Sequence, residues 1–232
     1  MPADQPPPIG PMLDGWTPPP RPPRETLGGR HCRLEPLAAD AHADDLHAAN
    51  SADRDHRMWT YLSYGPFADI ADYRAWVETM SRSSDPLCFA IIDPAANRAV
   101  GIAAYLRIDP PNGAIEIGHL AFSPALQRTT AATEALTLLI DRAFALGYRR
   151  CEWKCDALNA PSRAAAQRLG FVYEGIFRQA AVIKGRNRDT AWYSIIDADW
   201  PPLRAAFARW LAPENFDTAG RQRRSLADIR RG

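Results

Sequence analysis

The run AIEIGHLAF, residues 114–122, is followed by the loop SPALQRT and then by TAATEALTLLIDRAFALG, which ends at Gly147. No other feature constrains the fold as strongly. The first run is β-rich and apolar, with one acid, Glu116, inside it. The second places Ala132, Leu136, Leu139, Ile140, Ala143 and Phe144 at i, i+4, i+7, i+8, i+11 and i+12, the stripe of an amphipathic helix. Gly147 stands where a helix C-terminus favours a left-handed residue. A strand feeding a helix leaves four N–H groups unpaired at the helix start, and the dipole there favours an anion by about 0.3–1 kcal/mol. The junction between loop and helix holds Thr129 and Thr130 but no glycine. A phosphate cradle here must use small residues and hydroxyls; the competing reading is a threonine-capped helix.

The flanks extend the pattern. LCFAIID, AVGIAAYLRID and GAIEIGHLAF are three β-rich runs separated by PAANR and PPNG, turn signals that imply an antiparallel meander. Upstream, HCRLEPLAA reads as a short strand, and residues 40–50 and 69–83 as helices. Downstream, YRRCEWKCDA is a strand. NAPSRAAAQRLG is a short helix capped by Asn159, with Pro161 in its first turn and Gly170 as its stop. FVYEGIFRQAAVI and TAWYSIIDADW are strands around the turn KGRNRD, before a closing helix PPLRAAFARWLA. A meander followed by strand–helix alternation is mixed α/β.

Three units are expected within the 232 residues: an extended proline-rich tail at 1–27, a domain at 28–212 and a basic C-terminal tail at 213–232. The first holds ten of the 21 prolines and cannot form a helix or central strand. The last carries Arg221, Arg223, Arg224, Arg230 and Arg231 and reads as solvated. A formal charge of +1 gives no push toward nucleic acid. Without an apolar run near ~20 residues or a basic-then-apolar start, a cytoplasmic chain with no membrane partner is expected. Cys151 and Cys155, four strand residues apart, would be separated by about 13 Å, beyond the ~7 Å limit for a disulfide. Together with Cys32 and Cys88 they read as small buried residues, with no metal-ligand spacing.

GHLAFSPALQRTTAATEAL, the strand ending CDALN and NAPSRAAAQRLGF together resemble the ordered core motifs of the GNAT superfamily of acetyl-CoA-dependent N-acetyltransferases. EGIFRQ and KGRNRDTAWYSI further resemble its RimJ/RimL branch, whose members acetylate protein N-termini or small amines. The resemblance covers roughly residues 30–212. It implies a mixed, mainly antiparallel central sheet flanked by helices, with acetyl-CoA as acetyl donor and no metal. The acceptor would be a protein N-terminus or a small-molecule amine, and a homodimer is compatible with this reading.

In that family the loop reads Gln or Arg, two residues, Gly, one residue, then Gly or Ala; the matching run is Gln127, Arg128, Thr129, Thr130, Ala131 and Ala132. The resemblance places Asn159 on the pantetheine arm and Ser162 near the thioester sulfur, with the backbone of Leu120, Ala121 and Phe122 polarising the thioester. Many members carry a tyrosine seven residues after the asparagine to protonate the departing thiolate; this chain has Ala166 there. The acid role is therefore assigned to Ser162, with Tyr173 second. Glu116 is the candidate base, since a buried acid needs a role or a partner; the alternative is a plain ion pair with an arginine such as Arg107. His119 reads as a packing residue of its strand, and Asp156 as a reserve acid. The aromatics of RMWTYLSYGPF, including Trp59, Tyr61 and Tyr64, would line the acceptor pocket or belong to the core. An α-amine of pKa ~8 is about 10% neutral at pH 7 and a lysine only about 0.04%, which favours an N-terminus or low-pKa amine as acceptor. A non-catalytic acyl-CoA sensor or scaffold is the other class, motivated by Ala166 and the glycine-free loop.

Overall fold

The computed structural model describes residues 7–232; the first six residues of the proline-rich segment lie outside the described residues. One eight-stranded sheet organises the chain. Its strands are β1 (Leu27–Gly28), β2 (Arg33–Pro36), β3 (Leu87–Asp93), β4 (Arg98–Asp109), β5 (Ala114–Phe122), β6 (Arg150–Asp156), β7 (Val172–Ile183) and β8 (Arg186–Ile196). They lie in the order β1-β2-β3-β4-β5-β6-β8-β7, and β5 with β6 is the parallel pair. The expected meander is β3-β4-β5, joined by the two proline-containing turns. The fold is thus the mixed, mainly antiparallel sheet flanked by helices that the sequence implied.

Helices cover both faces. On one, α1 (Ala39–Asn50) and α2 (Ile70–Arg82) bury Leu46 and Val77 against Ile92, Ile102 and Trp59. On the other lie α3 (Thr130–Ala145), α4 (Ala160–Leu169) and α5 (Trp200–Leu211), which bury Leu139, Leu169 and Phe207 against Ile115, Trp153 and Tyr193. The stripe read in α3 faces this core, with Leu139, Ile140 and Ala143 fully buried and Ala132 and Leu136 nearly so. Gly147 (φ +96°) and Gly170 (φ +102°) end α3 and α4 in the left-handed conformation. At Gly170 a Cβ would also run into Leu203, 2.6 Å away.

Both terminal segments pack on this body. Residues 7–26 form neither helix nor strand, yet Pro19 and Pro22 are buried. Proline has no N–H for a ladder, so arginine side chains fasten the segment instead. Arg21 donates to the carbonyls of Ile108 and Ser84, Arg24 donates to that of Ser83, and Glu25 pairs with Arg142. The C-terminal stretch, expected to be solvated, folds into α6 (Leu226–Arg231) with Leu226 and Ile229 in the core. An apolar pair at i, i+3 is enough to seat one turn of helix. Its arginines have internal partners: Arg221 pairs with Asp217 and Arg231 with Asp228, while Arg223, Arg224 and Arg230 donate to backbone carbonyls. All four cysteines are free and buried. Among the described residues no helix is long and apolar enough to cross a membrane, and no group of three or more His, Cys, Asp or Glu is placed to hold a metal ion.

Candidate active site

The parallel pairing of β5 and β6 is short: Ala114 with Arg150, Ile115 with Cys151, Glu116 with Glu152. Beyond that point β5 continues beside β4 to Phe122 and β6 beside β8 to Asp156, but not beside each other. The sheet therefore opens into a cleft along residues 117–122. Because the two strands are parallel, their C-terminal ends lie at the same edge, and the helices that follow, α3 and α4, both begin there.

A bulge shapes the β5 wall. Gly118 pairs with Ala104 and Ala121 with Ile102, so His119 and Leu120 oppose Ala103 alone. His119 takes up the extra residue at φ +50°, a left-handed conformation that costs a non-glycine residue energy. The alternation that a regular strand would give Glu116, Gly118 and Leu120 is broken here: Leu120 packs toward the α3 face while Ala121 turns to the α1–α2 face.

At the start of α3, Thr129 Oγ1 accepts from the Ala132 N–H at 3.1 Å and donates to the Leu126 carbonyl at 2.7 Å. A hydroxyl has one proton to donate, so Thr129 caps the helix and does not also donate to a phosphate. Gln127 is similarly engaged, donating to the Phe122 carbonyl at 2.8 Å. Arg128 adopts φ +62° and is exposed. The backbone N–H groups of Arg128, Thr130 and Ala131 have no acceptor among the described residues, and the Thr130 hydroxyl is likewise unclaimed by any side-chain hydrogen bond found there. We expect Thr129→Ala to destabilise the protein by about 1 kcal/mol, the usual worth of an N-cap, readable as a fall in melting temperature. Because the backbone donors of Arg128, Thr130 and Ala131 remain, the capacity of this helix start to hold an anion should fall far less than if Thr129 held it directly.

At the start of α4, Asn159 Oδ1 accepts from the Ser162 N–H at 3.1 Å, leaving its amide NH2 available. Ser162 Oγ accepts from Trp153 Nε1 at 3.0 Å, which anchors the oxygen. Asp156 accepts from the Leu158 N–H within the β6–α4 turn and serves that turn. Ala166 is buried in the core. Tyr173 is not brought to the cleft. It lies on β7, in register with Tyr193 of β8, which pairs with Trp153 of β6. Two strand spacings, about 10 Å, separate it from β6, and its half-exposed ring packs on Tyr193.

On the opposite face of the cleft floor runs a chain of charge that the sequence reading missed beyond its first link. Glu116 Oε2 receives Arg107 Nη1 at 2.6 Å and Lys154 Nζ at 3.0 Å. Lys154 also reaches Glu152 at 2.7 Å and sits 3.8 Å above the centre of the Trp192 ring. Arg150 continues the chain from Glu152 to Glu174, and Ser194 donates to Glu174. Burial raises the Glu152 carboxyl, but hydrogen bonds from Arg150 and Lys154 outweigh it and hold the group below the ordinary carboxylate range. Glu116 is therefore a fixed ion-pair partner, as the alternative with Arg107 anticipated, and its Oε2 is already taken by two cationic donors. The sequence signal for Lys154 was its rarity, since Lys154 and Lys184 are the two lysines among 28 basic residues.

Residues 57–67 roof the cleft on this face. Tyr61 donates to the Leu158 carbonyl at 3.1 Å, and Lys184, from the β7–β8 turn, donates to the Trp59 carbonyl at 2.8 Å. Trp59 is core, and Tyr64 packs against Trp76 on one side and stacks with His119 on the other at 5.6 Å and 11°. His119, read from sequence as packing, thus borders the cleft. Burial and the Arg107 charge lower its pKa, so the ring is neutral at pH 7.

Comparison with known proteins agrees with this geometry. Residues 31–172 match the family profile of the acetyltransferase (GNAT) domain. A GCN5-related N-acetyltransferase from Brucella melitensis has a similar structure, with a TM-score of 0.93 and 50% identity over 95% of this chain and 100% of that one. A probable GNAT-family acetyltransferase from Chromobacterium violaceum gives 0.77 and 43%, over 84% of this chain and 99% of that one. An uncharacterised N-acetyltransferase of Bacillus licheniformis is 29% identical over 154 residues, 63% of this chain and 84% of that protein.

Proposed function

The chain belongs to the GNAT acetyltransferase family, and from that premise we propose that it transfers the acetyl group of acetyl-CoA to a primary amine, in the manner of the RimJ/RimL branch. The observation that carries this reading is the three-residue parallel pairing of β5 and β6, which opens the sheet at the edge where two helices begin. The cleft fits the donor. Along residues 117–122 the backbone faces no strand on the β6 side, so an extended amide-bearing arm has groups to pair with. The free N–H groups of Arg128, Thr130 and Ala131 and the Thr130 hydroxyl suit a pyrophosphate, with Gln127 and Ala132 framing the turn. Acetyl-CoA supplies an acetyl group already activated as a thioester, which an amine attacks without a covalent enzyme intermediate.

The protein's part is to bind, orient and manage protons. The Asn159 amide holds the arm. The backbone of Leu120, Ala121 and Phe122 lies along the carbonyl's path, where a preorganised N–H is worth most. Ser162, whose oxygen accepts from Trp153 Nε1, takes the acid role toward the leaving sulfur in this reading. On the other face the acceptor enters beneath residues 57–67. Two polar atoms there, Tyr64 Oη and Trp192 Nε1, are buried without partners among the described residues and suit a polar acceptor.

The direct test is release of free CoA thiol on mixing the protein and acetyl-CoA with a panel of N-terminal peptides, small primary amines and lysine-bearing peptides. We expect turnover with the first two groups ahead of the third. Tight acetyl-CoA binding with no release for any amine would instead favour the sensor reading, to which Ala166 and the glycine-free loop point.

A further inference from the structure

We propose that His119, held in the bulge of β5, is the group that takes the proton from the acceptor amine. This rests on the acetyl-transfer reading and names the base of that same site.

Geometry makes the case. An amine that arrives as an ammonium must lose a proton before its lone pair can attack. The only carboxylate that the strand itself offers, Glu116, has Oε2 occupied by Arg107 and Lys154. His119 is three residues further along, immediately before Leu120, Ala121 and Phe122, and so beside the point where the thioester would lie. Its backbone is left-handed at φ +50° in a residue that is neither Gly nor Asn. Conformations of that kind persist where surrounding structure enforces them, and the bulge turns this ring out of the regular alternation onto the roofed face. There Tyr64 stacks on the imidazole and fixes its plane. Neither ring nitrogen has a hydrogen-bond partner among the described residues, so the basic nitrogen is free to accept.

The charged and titratable groups around it are consistent with that role. From β4, Arg107 faces it and opposes protonation, which keeps the imidazole in its basic form. From the roof comes Tyr64, whose buried hydroxyl has its pKa raised and stays neutral. From its own strand and from β6 come Glu116 and Lys154, which are paired with each other. The balance is simple. The acceptor ammonium passes one proton to His119. The freed nitrogen forms a C–N bond to the acetyl carbon as the C–S bond breaks; Ser162 gives its proton to the departing sulfur to make CoA thiol and is reprotonated by the second nitrogen proton. The imidazolium returns its proton to solvent.

The test uses His119→Asn, because asparagine tolerates the left-handed backbone and the variant should keep its fold. Native protein should show a kcat/KM that falls on the acid side with an apparent pKa below 6.5, the ordinary histidine value. Arg107→Gln removes the opposing cation, so the acid limb should move to higher pH. In His119→Asn, with melting temperature and acetyl-CoA affinity unchanged, kcat should drop about 100-fold or more, the usual worth of a general base, and the limb should disappear. The loss should shrink for hydroxylamine, which is already neutral at pH 7 and needs no base. His119→Asn with kcat within twofold of native and the same acid limb overturns the assignment while leaving acetyl transfer intact. Native protein that releases no CoA with any amine overturns both.

Discussion

Lys154→Met is expected to lower the stability of the protein by about 3 kcal/mol, the lower end of the range for removing one partner of a buried ion pair. The Lys154 side chain is 7% exposed and bridges Glu116, at 4%, and Glu152, at 13%. Arg107 and Arg150 remain to neutralise the two carboxylates, which is why the upper end is not expected. For a chain of this size each kcal/mol corresponds to roughly 2–4 °C, so a fall of about 6–12 °C should appear in a thermal melt. Lys154→Arg should recover less than half of it. A compact ammonium can touch two carboxylates and an aromatic face at once, whereas a guanidinium presents a planar fork of greater breadth. A melting temperature unchanged by Lys154→Met would show that the flanking arginines suffice. If the acceptor enters on this face as proposed, the methionine variant should also raise KM for the amine while leaving acetyl-CoA affinity near native.

The second large effect lies on the far side of α3. Glu134 is buried, and its carboxylate accepts the backbone N–H groups of Arg30, His31 and Cys32 at 2.9, 2.6 and 2.8 Å. One side chain thereby satisfies the whole turn between β1 and β2. Glu134→Ala should cost about 3 kcal/mol, since each donor left unsatisfied costs roughly 1–3 kcal/mol and the more exposed ones regain water. Glu134→Gln should recover only part, because its NH2 meets donors where an oxygen stood. The denaturant midpoint reads the total. Hydrogen exchange at residues 30–32 reads the place, and continued protection of those amides in Glu134→Ala would sink the account. Gly29 belongs to the same device: a Cβ there would collide with the Glu134 carboxylate. Nothing in GGRHC by itself announces that its N–H groups need an acid 102–104 residues away.

That contrast recurs through the molecule. The stripe of α3, the Asn159 cap, the stops at Gly147 and Gly170 and the β3-β4-β5 meander were legible, because each rests on periodicity or on backbone preferences expressed within a few residues. The family was legible for a related reason, since its motifs are local and ordered along the chain. Individual roles in the site were harder to read. Thr129 and Thr130 are neighbours of the same type, yet one caps the helix and the other is free. Tyr173 follows closely on α4 in sequence but stands two strands from β6, because β8 inserts between β6 and β7. The basic C-terminus looked solvated because its charges outnumber its apolar residues; it packs because Leu226 and Ile229 reach the core while its arginines find carboxylate and carbonyl partners.

The sequence by itself determined the strands of the β3-β4-β5 meander, the helices α3 and α4 and where those two helices start and stop. Those properties depend on φ, ψ and side-chain spacing within single segments. Only the tertiary structure decided that β5 and β6 part after three residues, that His119 is turned out of its strand's alternation, and that Glu116 is a bound partner of Arg107 and Lys154. Each of these depends on what lies across the sheet. A bulge, a cleft and a buried ion pair are relations between segments distant in sequence, set by strand register and by burial in a low-dielectric interior, and no local preference encodes them.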